Sequence, residues 1–171
     1  TESKGNTDPH VVLRGGASGP NYSKEGVDAA VKLLEARGAT SPAVVVDCSH
    51  DNSGKSFKQQ LVVAADVIKQ ISEGSLYIRG VMLESFLEEG KHNLETSEHK
   101  FGQSYTDECI GWEATEKILE SLAEAVRMRN NTVRQMLKAR ELESLAQQRQ
   151  AMEDMKMRSQ IRAEQINKRL A

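Results

Sequence analysis

The sequence predicts an α/β protein in which three strand–helix units are followed by a long helical tail. Short runs rich in Val, Ile and Leu alternate with segments of helical periodicity, as in parallel strands buried on both faces. All 12 Gly, all 3 Pro and every aromatic residue lie at or before Trp112. The remainder of the 171-residue chain therefore has a purely helix-forming composition.

The first unit begins with a predicted strand over His10–Arg14, which ends in two glycines. Ser23 can cap the helix that follows, and Gly38 is placed to stop it. Apolar side chains fall on one stripe of this helix, at Val27, Ala30, Val31 and Leu34. We therefore expect one amphipathic helix packed on the strand.

Two further units follow. Ala43–Cys48 is predicted as the second strand, with a helix from about Phe57 to Gly74, and Tyr77–Glu84 as the third strand. The polar connection 85–111 is much longer than usual, and such loops are more often functional than idle. The third helix begins near Trp112.

Three units cannot close an eight-stranded α/β barrel, which needs about 250 residues. Their strands would leave open edges and one uncovered face. If the units come from a (β/α)8 (TIM) barrel, part of it is missing and something else must cover them.

Composition separates the chain into an acidic body and a basic tail. The net charge is −2, with 14 Lys/Arg and 20 Asp/Glu over 1–129, against 9 and 5 over 130–171. No apolar run could span a membrane, no secretory leader opens the chain, and two cysteines make no disulfide framework. We expect a cytoplasmic protein with neither a membrane nor a nucleic-acid partner.

The tail, 130–171, is predicted to be one long helix that requires a partner. Its loose heptad pattern comprises Leu142, Leu145, Met152, Ala163, Ile166 and Leu170. Polar residues at Arg149, Lys156 and Ser159 dilute the pattern, so a coiled-coil extension is the interpretation and a strong coiled coil is not expected. Contact of its basic residues with nucleic acid or acidic lipid is less favoured than a solvated helix face, because stacking aromatic residues are absent and the charges alternate in sign.

Polar residues recur directly after each predicted strand. They are Arg14, Gly15 and Gly16, then Asp47, Ser49 and His50, then Glu84 and Ser85. In an α/β barrel these strand ends share the face on which the active site forms. The positions therefore converge on one candidate site.

One imidazole and two carboxylates could bind a divalent metal there. His50 and Glu84 follow two of the strands, and the long connection could deliver Asp107. This mixed set of nitrogen and oxygen donors suits Mn, Fe, Co or Zn better than Ca. The alternative, which is the more common one for a lone histidine, is a hydrogen-bonded buried histidine with solvated acids, and three coinciding strand ends bring the two interpretations closer to even.

Arg14, Gly15 and Gly16 could hold a phosphate, since a guanidinium offers forked donors and glycines let backbone amides approach. A turn that merely needs glycine is the more common alternative. The string Asn52–Lys55 lacks the spacing of a P-loop, so nucleotide binding is not expected. Cys48 and Cys109 are predicted as small apolar side chains rather than nucleophiles or metal ligands.

Six strings occur in a fixed order along the chain: Lys4-Gly-Asn, His10-Val-Val-Leu-Arg-Gly-Gly16, Pro20-Asn-Tyr22, Val46-Asp-Cys-Ser-His-Asp-Asn-Ser53, Gly80-Val-Met-Leu-Glu-Ser85 and Thr106-Asp-Glu-Cys-Ile-Gly-Trp112. Together they resemble one family, the phenylalanine/tyrosine-regulated microbial class of 3-deoxy-7-phosphoheptulonate (DAHP) synthases. The resemblance covers 1–129 and not the tail. It implies barrel strands six to eight and the condensation of phosphoenolpyruvate with erythrose 4-phosphate, which opens the shikimate pathway of aromatic amino-acid biosynthesis.

The resemblance also implies roles for individual residues. Arg14, with Gly15 and Gly16, would bind the phosphate of phosphoenolpyruvate. The divalent metal, which would polarise the aldehyde oxygen, would be ligated by His50, Glu84 and Asp107. Asp47 would lie near the hydroxyls of the sugar phosphate, and Asp47 and His50 would be the catalytic residues.

The match to this family is incomplete. Its fourth metal ligand, a cysteine, and the basic residues that hold the phosphoenolpyruvate carboxylate belong to an N-terminal half that is absent here, and neither Cys48 nor Cys109 matches that cysteine. We expect the chain to be inactive alone and to require a complementary barrel half. The alternative is a non-catalytic interaction or fusion module that oligomerises through its helical tail.

Overall fold

A computed structural model describes residues 6, 9–93, 95 and 99–170, with side chains through Arg162. Two groups of residues from the sequence analysis are therefore not described at the level of side chains. They are Lys4 and Gly5 of the first family string, and Ala163, Ile166 and Leu170 of the heptad pattern. The chain divides into two compact units, Thr1–Asn130 and Asn131–Ala171. The functions that the sequence suggests for a body over 1–129 and a tail over 130–171 stay predictions.

The predicted α/β fold, with a small parallel sheet and a long helix, is confirmed. The elements in chain order are β1 Val11–Leu13, α1 Lys24–Ala36, β2 Val44–Asp47, α2 His50–Ser53, α3 Phe57–Ser72, β3 Ile78–Met82 and α4 Trp112–Leu170. Each strand is shorter than predicted at both ends. The short helix α2 was not predicted from the sequence.

The sheet has the order β1–β2–β3, and both pairs of strands are parallel. Val11 pairs with Val44, and Val44 pairs with Ile78. A register shift follows between Val44 and Val45, so that Asp47 pairs with Met82. All three strands therefore end at the same edge, where the polar residues follow.

One face of the sheet is covered by helices. α1 begins after Ser23, whose side chain accepts a hydrogen bond from the Gly26 N–H, and α3 begins after Ser56, which caps Gln59 in the same way. The core that these helices close consists of Leu13, Val27, Val31, Val44, Val46, Cys48, Val63, Ala64, Val67, Ile71, Ile78, Ile110, Ile118 and Ala125.

The opposite face of the sheet is less covered among the described residues. Val12, which pairs with Val45, is 39% exposed, and Met82, which pairs with Asp47, is 41% exposed. β1 and β3 each have a single strand neighbour in the described sheet. The sheet therefore keeps two open edges and apolar side chains in contact with solvent.

Helix α4 contributes to the first unit through its N-terminal turns. Thr115, Ile118 and Ala125 are buried at helical spacing. Arg129 donates from Nη1 to the carbonyls of Ser75 and Ile78, at 3.3 and 3.4 Å, and so ties the helix to the segment leading into β3.

The second unit is helical through Leu170, so the predicted helix over the tail is confirmed. Every side chain described from Arg134 to Arg162 is exposed. Within the described part of the chain, helices long enough to cross a bilayer are too polar to do so. The partner expected for the tail stays a prediction.

Candidate metal centre

The turn after β2 is built around a buried carboxylate. Asp47 has no exposed surface. Its Oδ1 accepts the Ser49 N–H at 2.9 Å, and its Oδ2 lies 2.9 Å from His50 Nδ1. Both oxygens are therefore engaged by the turn itself, and the carboxylate fixes the orientation of the His50 ring.

His50 has an unusual backbone conformation. Its φ is 49°, in the left-handed region that residues other than glycine adopt uncommonly, although asparagine, aspartate and histidine adopt it more often than most. Its carbonyl accepts hydrogen bonds from the N–H groups of Gly54 and Lys55, which stabilise the turn. Local strain of this kind is concentrated at functional sites, where the surrounding structure holds it.

Glu84 contacts His50 from the end of β3. Its Oε1 lies 3.1 Å from His50 Nε2, and its Oε2 accepts the Ser49 hydroxyl at 2.9 Å. The side-chain amide of Gln60 holds the main chain of Glu84. The Glu84 N–H donates to Gln60 Oε1 at 2.7 Å, and the Glu84 carbonyl accepts from Gln60 Nε2 at 3.2 Å. Glu84 is thus held both at its main chain and at its carboxylate oxygens.

The long connection folds back along the end of β3. Ile110, only 1% exposed, donates its N–H to the Glu84 carbonyl at 2.9 Å, and its own carbonyl accepts from Phe86 N at 3.0 Å. Glu108 Oε2 accepts the Phe57 N–H at the start of α3, at 3.1 Å. These contacts bring Asp107 beside Glu84.

Three of the predicted site residues therefore meet at one point. His50, Glu84 and Asp107 are all half-buried, and each offers one donor atom within 4.8 Å of the other two. Across the residues that the structure describes, this is the one group of three or more such side chains close enough to share an ion.

The three residues fit a divalent cation. With metal–ligand bonds of about 2.0–2.2 Å, donor atoms around an ion lie roughly 3–4 Å apart, so small side-chain adjustments suffice. If His50 Nδ1 donates to Asp47, Nε2 presents a lone pair to Glu84 Oε1. Two acceptors at 3.1 Å require a proton or a cation between them. A carboxylate behind the ring is the usual support of a metal-bound histidine.

The Arg14 turn differs from this cluster. The Arg14 guanidinium is exposed and has no hydrogen-bond or ion-pair partner among the described residues. Gly15 N donates to Asn21 Oδ1 at 2.8 Å, and Gly16 N donates to the Gly19 carbonyl. Both amides that could cradle a phosphate are therefore used within the chain, and the phosphate-binding roles of Arg14, Gly15 and Gly16 stay predictions.

Gly15 is nevertheless required by the conformation of this turn. Its φ is +78°, and an added Cβ would lie 2.7 Å from the carbonyl carbon of Asp51. The turn after β1 therefore packs directly on the first turn of α2. Only glycine allows this approach without backbone displacement.

Asn52 links the turn after β1 to the turn after β2, and the sequence did not predict this role. It is 2% exposed, and its Nδ2 donates to the carbonyls of Leu13 and Asp47 at 2.9 and 2.8 Å. Its Oδ1 accepts the Asn21 N–H at 2.8 Å. The available signal was an amide inside a strand-end motif.

The buried cysteine lies behind the site rather than in it. Cys48 has no exposed surface, and burial raises the pKa of its thiol to about 12. Its predicted role as a small apolar side chain is confirmed. Burial also raises the pKa of Cys109, which is only partly buried. Neither thiol belongs to the cluster of three donors.

Comparison with known proteins agrees with this geometry. Residues 1–120 match the DAHP synthetase I family. A phospho-2-dehydro-3-deoxyheptonate aldolase of Haemophilus influenzae is 49% identical over 125 residues, which are 72% of this chain and 34% of that protein. The Phe-sensitive phospho-2-dehydro-3-deoxyheptonate aldolase of Escherichia coli is 47% identical over 128 residues, 74% of this chain and 36% of that protein.

A solved structure gives the same result. A phospho-2-dehydro-3-deoxyheptonate aldolase from Francisella tularensis superimposes with a TM-score of 0.67 at 49% identity, covering 74% of this chain and 37% of that one. The chain thus spans about a third of the length of the relatives it matches. A family match over more than half of the sequence leads to one conclusion: this chain belongs to the DAHP synthetase I family.

Proposed function

We propose that this chain supplies the metal-binding and phosphate-binding strand ends of a DAHP synthase, which condenses phosphoenolpyruvate with erythrose 4-phosphate in the shikimate pathway. The observation that carries the proposal is the meeting of His50, Glu84 and Asp107, with donor atoms within 4.8 Å, in a chain of this family. The relatives named above carry the aldolase name that corresponds to this reaction.

In this proposal the cluster holds Mn, Fe, Co or Zn, in keeping with its one nitrogen and two oxygen donors. The bound ion supplies a Lewis acid that polarises the aldehyde oxygen of the sugar phosphate. Asp47 orients His50 from behind, because both of its oxygens are engaged by the turn. The substrate contact first expected of Asp47 would require that turn to open.

Arg14 is proposed to bind the phosphate of phosphoenolpyruvate. Its exposed guanidinium has free donors, and a forked pair of charge-assisted hydrogen bonds fixes both the position and the orientation of a phosphate. Gly15 supports it by letting the turn pack against Asp51. The chain's own residues thus bind and orient the two reactants on one face.

We further propose that the three units are strands six to eight of a (β/α)8 barrel and require a complementary half. The exposure of Val12 and Met82, the two open sheet edges and the coverage of only about a third of each relative support this. Donors from the other half would complete the ion's coordination and the substrate pocket.

The test is reconstitution. The N-terminal part of the Haemophilus influenzae relative, ending before the matched 125 residues, is produced separately and mixed with this chain and Mn(II). We expect DAHP formation from the mixture, none from either part alone, and none when the chain carries Asp107→Asn. A folded, stable complex that forms no DAHP would contradict the proposed activity, and steady product from the chain alone would contradict the need for a second half.

A second candidate function is an interaction module assembled by the tail. It is favoured by exposed apolar residues on the second unit, among them Leu142 at 62%, Leu145 at 48% and Met152 at 56%. We expect these to pair with a second copy of the helix. Sedimentation equilibrium of the chain with and without residues 131–171 tests this. If both forms are monomeric, the proposal is contradicted.

A further inference from the structure

We propose that the first turn of α3 is the device that positions two of the three metal donors, with Gln60 as its central positioning residue. The inference rests on the proposed metal site and assigns new roles to Gln60 and Glu108. Neither residue belongs to the donor cluster itself.

Glu84 lies where the sheet no longer holds the chain. β3 ends at Met82, and the last ladder pairing joins Met82 to Asp47. Two residues later, the main chain of Glu84 is bound by a side chain: Gln60 accepts its N–H at 2.7 Å and donates to its carbonyl at 3.2 Å. The Ile110 N–H also donates to that carbonyl, so Gln60 and Ile110 together hold the Glu84 main chain at the point where the carboxylate must be placed.

The side-chain amide of Gln60 makes its hydrogen bonds to the main chain of Glu84. Its side chain is completely buried, and both atoms of its amide bond to the same residue. A polar residue among the apolar positions of α3, one turn before Val63 and Ala64, would cost stability without such partners. Its two bonds hold the N–H and the carbonyl of Glu84.

The same helical turn also holds the segment that carries Asp107. Glu108 Oε2 accepts the Phe57 N–H at 3.1 Å, at the first residue of α3. The N–H groups of a first helical turn have no partner within the helix, and a carboxylate is favoured there by the helix dipole. α3 is therefore bound to the residue adjacent to Asp107 as well as to Glu84.

Metal affinity depends on such support. Removing residues that orient metal ligands typically lowers affinity by about 10- to 100-fold, although the ligands themselves remain. We expect Gln60→Leu to weaken Mn(II) binding by about 10-fold or more. Glu108→Ala should weaken it less, because Ile110 still anchors the returning segment to Glu84.

The experiment measures Mn(II) binding to the full 171-residue chain, from the electron paramagnetic resonance signal of free Mn(II). Gln59→Leu is the matched control for Gln60→Leu, because Gln59 is the exposed neighbour on the same helix. Glu116→Ala, on the exposed side of α4, is the control for Glu108→Ala. Near-ultraviolet circular dichroism confirms that each variant is folded at the temperature used.

We expect the controls to bind Mn(II) as the unaltered chain does, and both test variants to bind more weakly while folded. A purely structural role would lower the unfolding midpoint and leave the affinity of the folded protein unchanged, which would overturn the inference. If Gln60→Leu does not fold, the Mn(II) affinity of Glu108→Ala is compared with that of Glu116→Ala. Equal affinities would then overturn the inference. Failure of the unaltered chain to bind Mn(II), both alone and mixed with the N-terminal part of the Haemophilus influenzae relative, would instead overturn the proposed metal site.

Discussion

The strand-end face of the first unit and the helix of the second unit differ in where their polar groups bond. In the first unit, buried polar side chains bond to residues distant in sequence: Asn52 reaches Leu13, and Gln60 reaches Glu84. In the second unit, the side chains described are exposed from Arg134 onward, and Gln150 bonds one turn away to Asp154. Long-range polar contacts create a defined site, whereas local contacts support only a helix.

The largest effect that this difference predicts is for Asn52→Leu. The substitution leaves the carbonyls of Leu13 and Asp47 and the N–H of Asn21 without their partner. Each buried unsatisfied group costs about 1–3 kcal/mol, so we expect the unfolding free energy to fall by about 3 kcal/mol or more. Urea denaturation followed by circular dichroism measures it.

The control lies in the second unit. Asn131→Leu makes the same chemical change at an exposed helical position and should alter the unfolding free energy by no more than about 0.5 kcal/mol. Equal effects from the two substitutions would show that the two regions do not differ as we describe.

A pH-dependent effect is expected at Cys48, smaller per pH unit than the loss expected for Asn52→Leu. Burial raises the pKa of the folded thiol to about 12 from the ordinary 9.0. The protonated thiol thus contributes stability that is complete below pH 9 and lost as the pH rises towards 12. In that window the unfolding free energy should fall by up to about 1.4 kcal/mol per pH unit through this group.

Cys48→Ala should remove that component of the slope, while Cys109→Ala, at a half-buried thiol, should remove less. The measurement is urea denaturation at several pH values from 8 upward, with each variant compared against the unaltered chain. Parallel pH profiles for the chain and for Cys48→Ala would refute the assignment.

The smallest expected effect comes from removing the second unit. Because the two units cluster separately, a chain ending at Asn130 should keep the unfolding free energy of the first unit within about 0.5 kcal/mol. Differential scanning calorimetry of both chains tests this. A loss well above 1 kcal/mol would mean that the tail stabilises the body, and the comparison would have to be revised.

The sequence was sufficient to predict the three strands, the long helices and the polar residues that follow the strands, because these follow from local patterns, whereas the short helix α2 was not predicted. Runs such as Val44–Val46 alternate with amphipathic stripes, and polar residues follow each run. Asn52 and Gln60 were missed, since nothing local distinguishes an amide that bonds across 39 or 24 residues from one on the surface. The third strand was predicted too long because Glu84 continues an apolar run but bonds to α3.

The central claim is that His50, Glu84 and Asp107 form one divalent-metal site, and Mn(II) titration of Asp107→Asn tests it most directly. Asp51→Asn, at an exposed carboxylate that follows His50 in the sequence and lies outside the donor cluster, is the control. We expect the unaltered chain and the control to bind one Mn(II) with equal affinity and Asp107→Asn to bind at least about 10-fold more weakly. Unchanged affinity in Asp107→Asn would contradict the site.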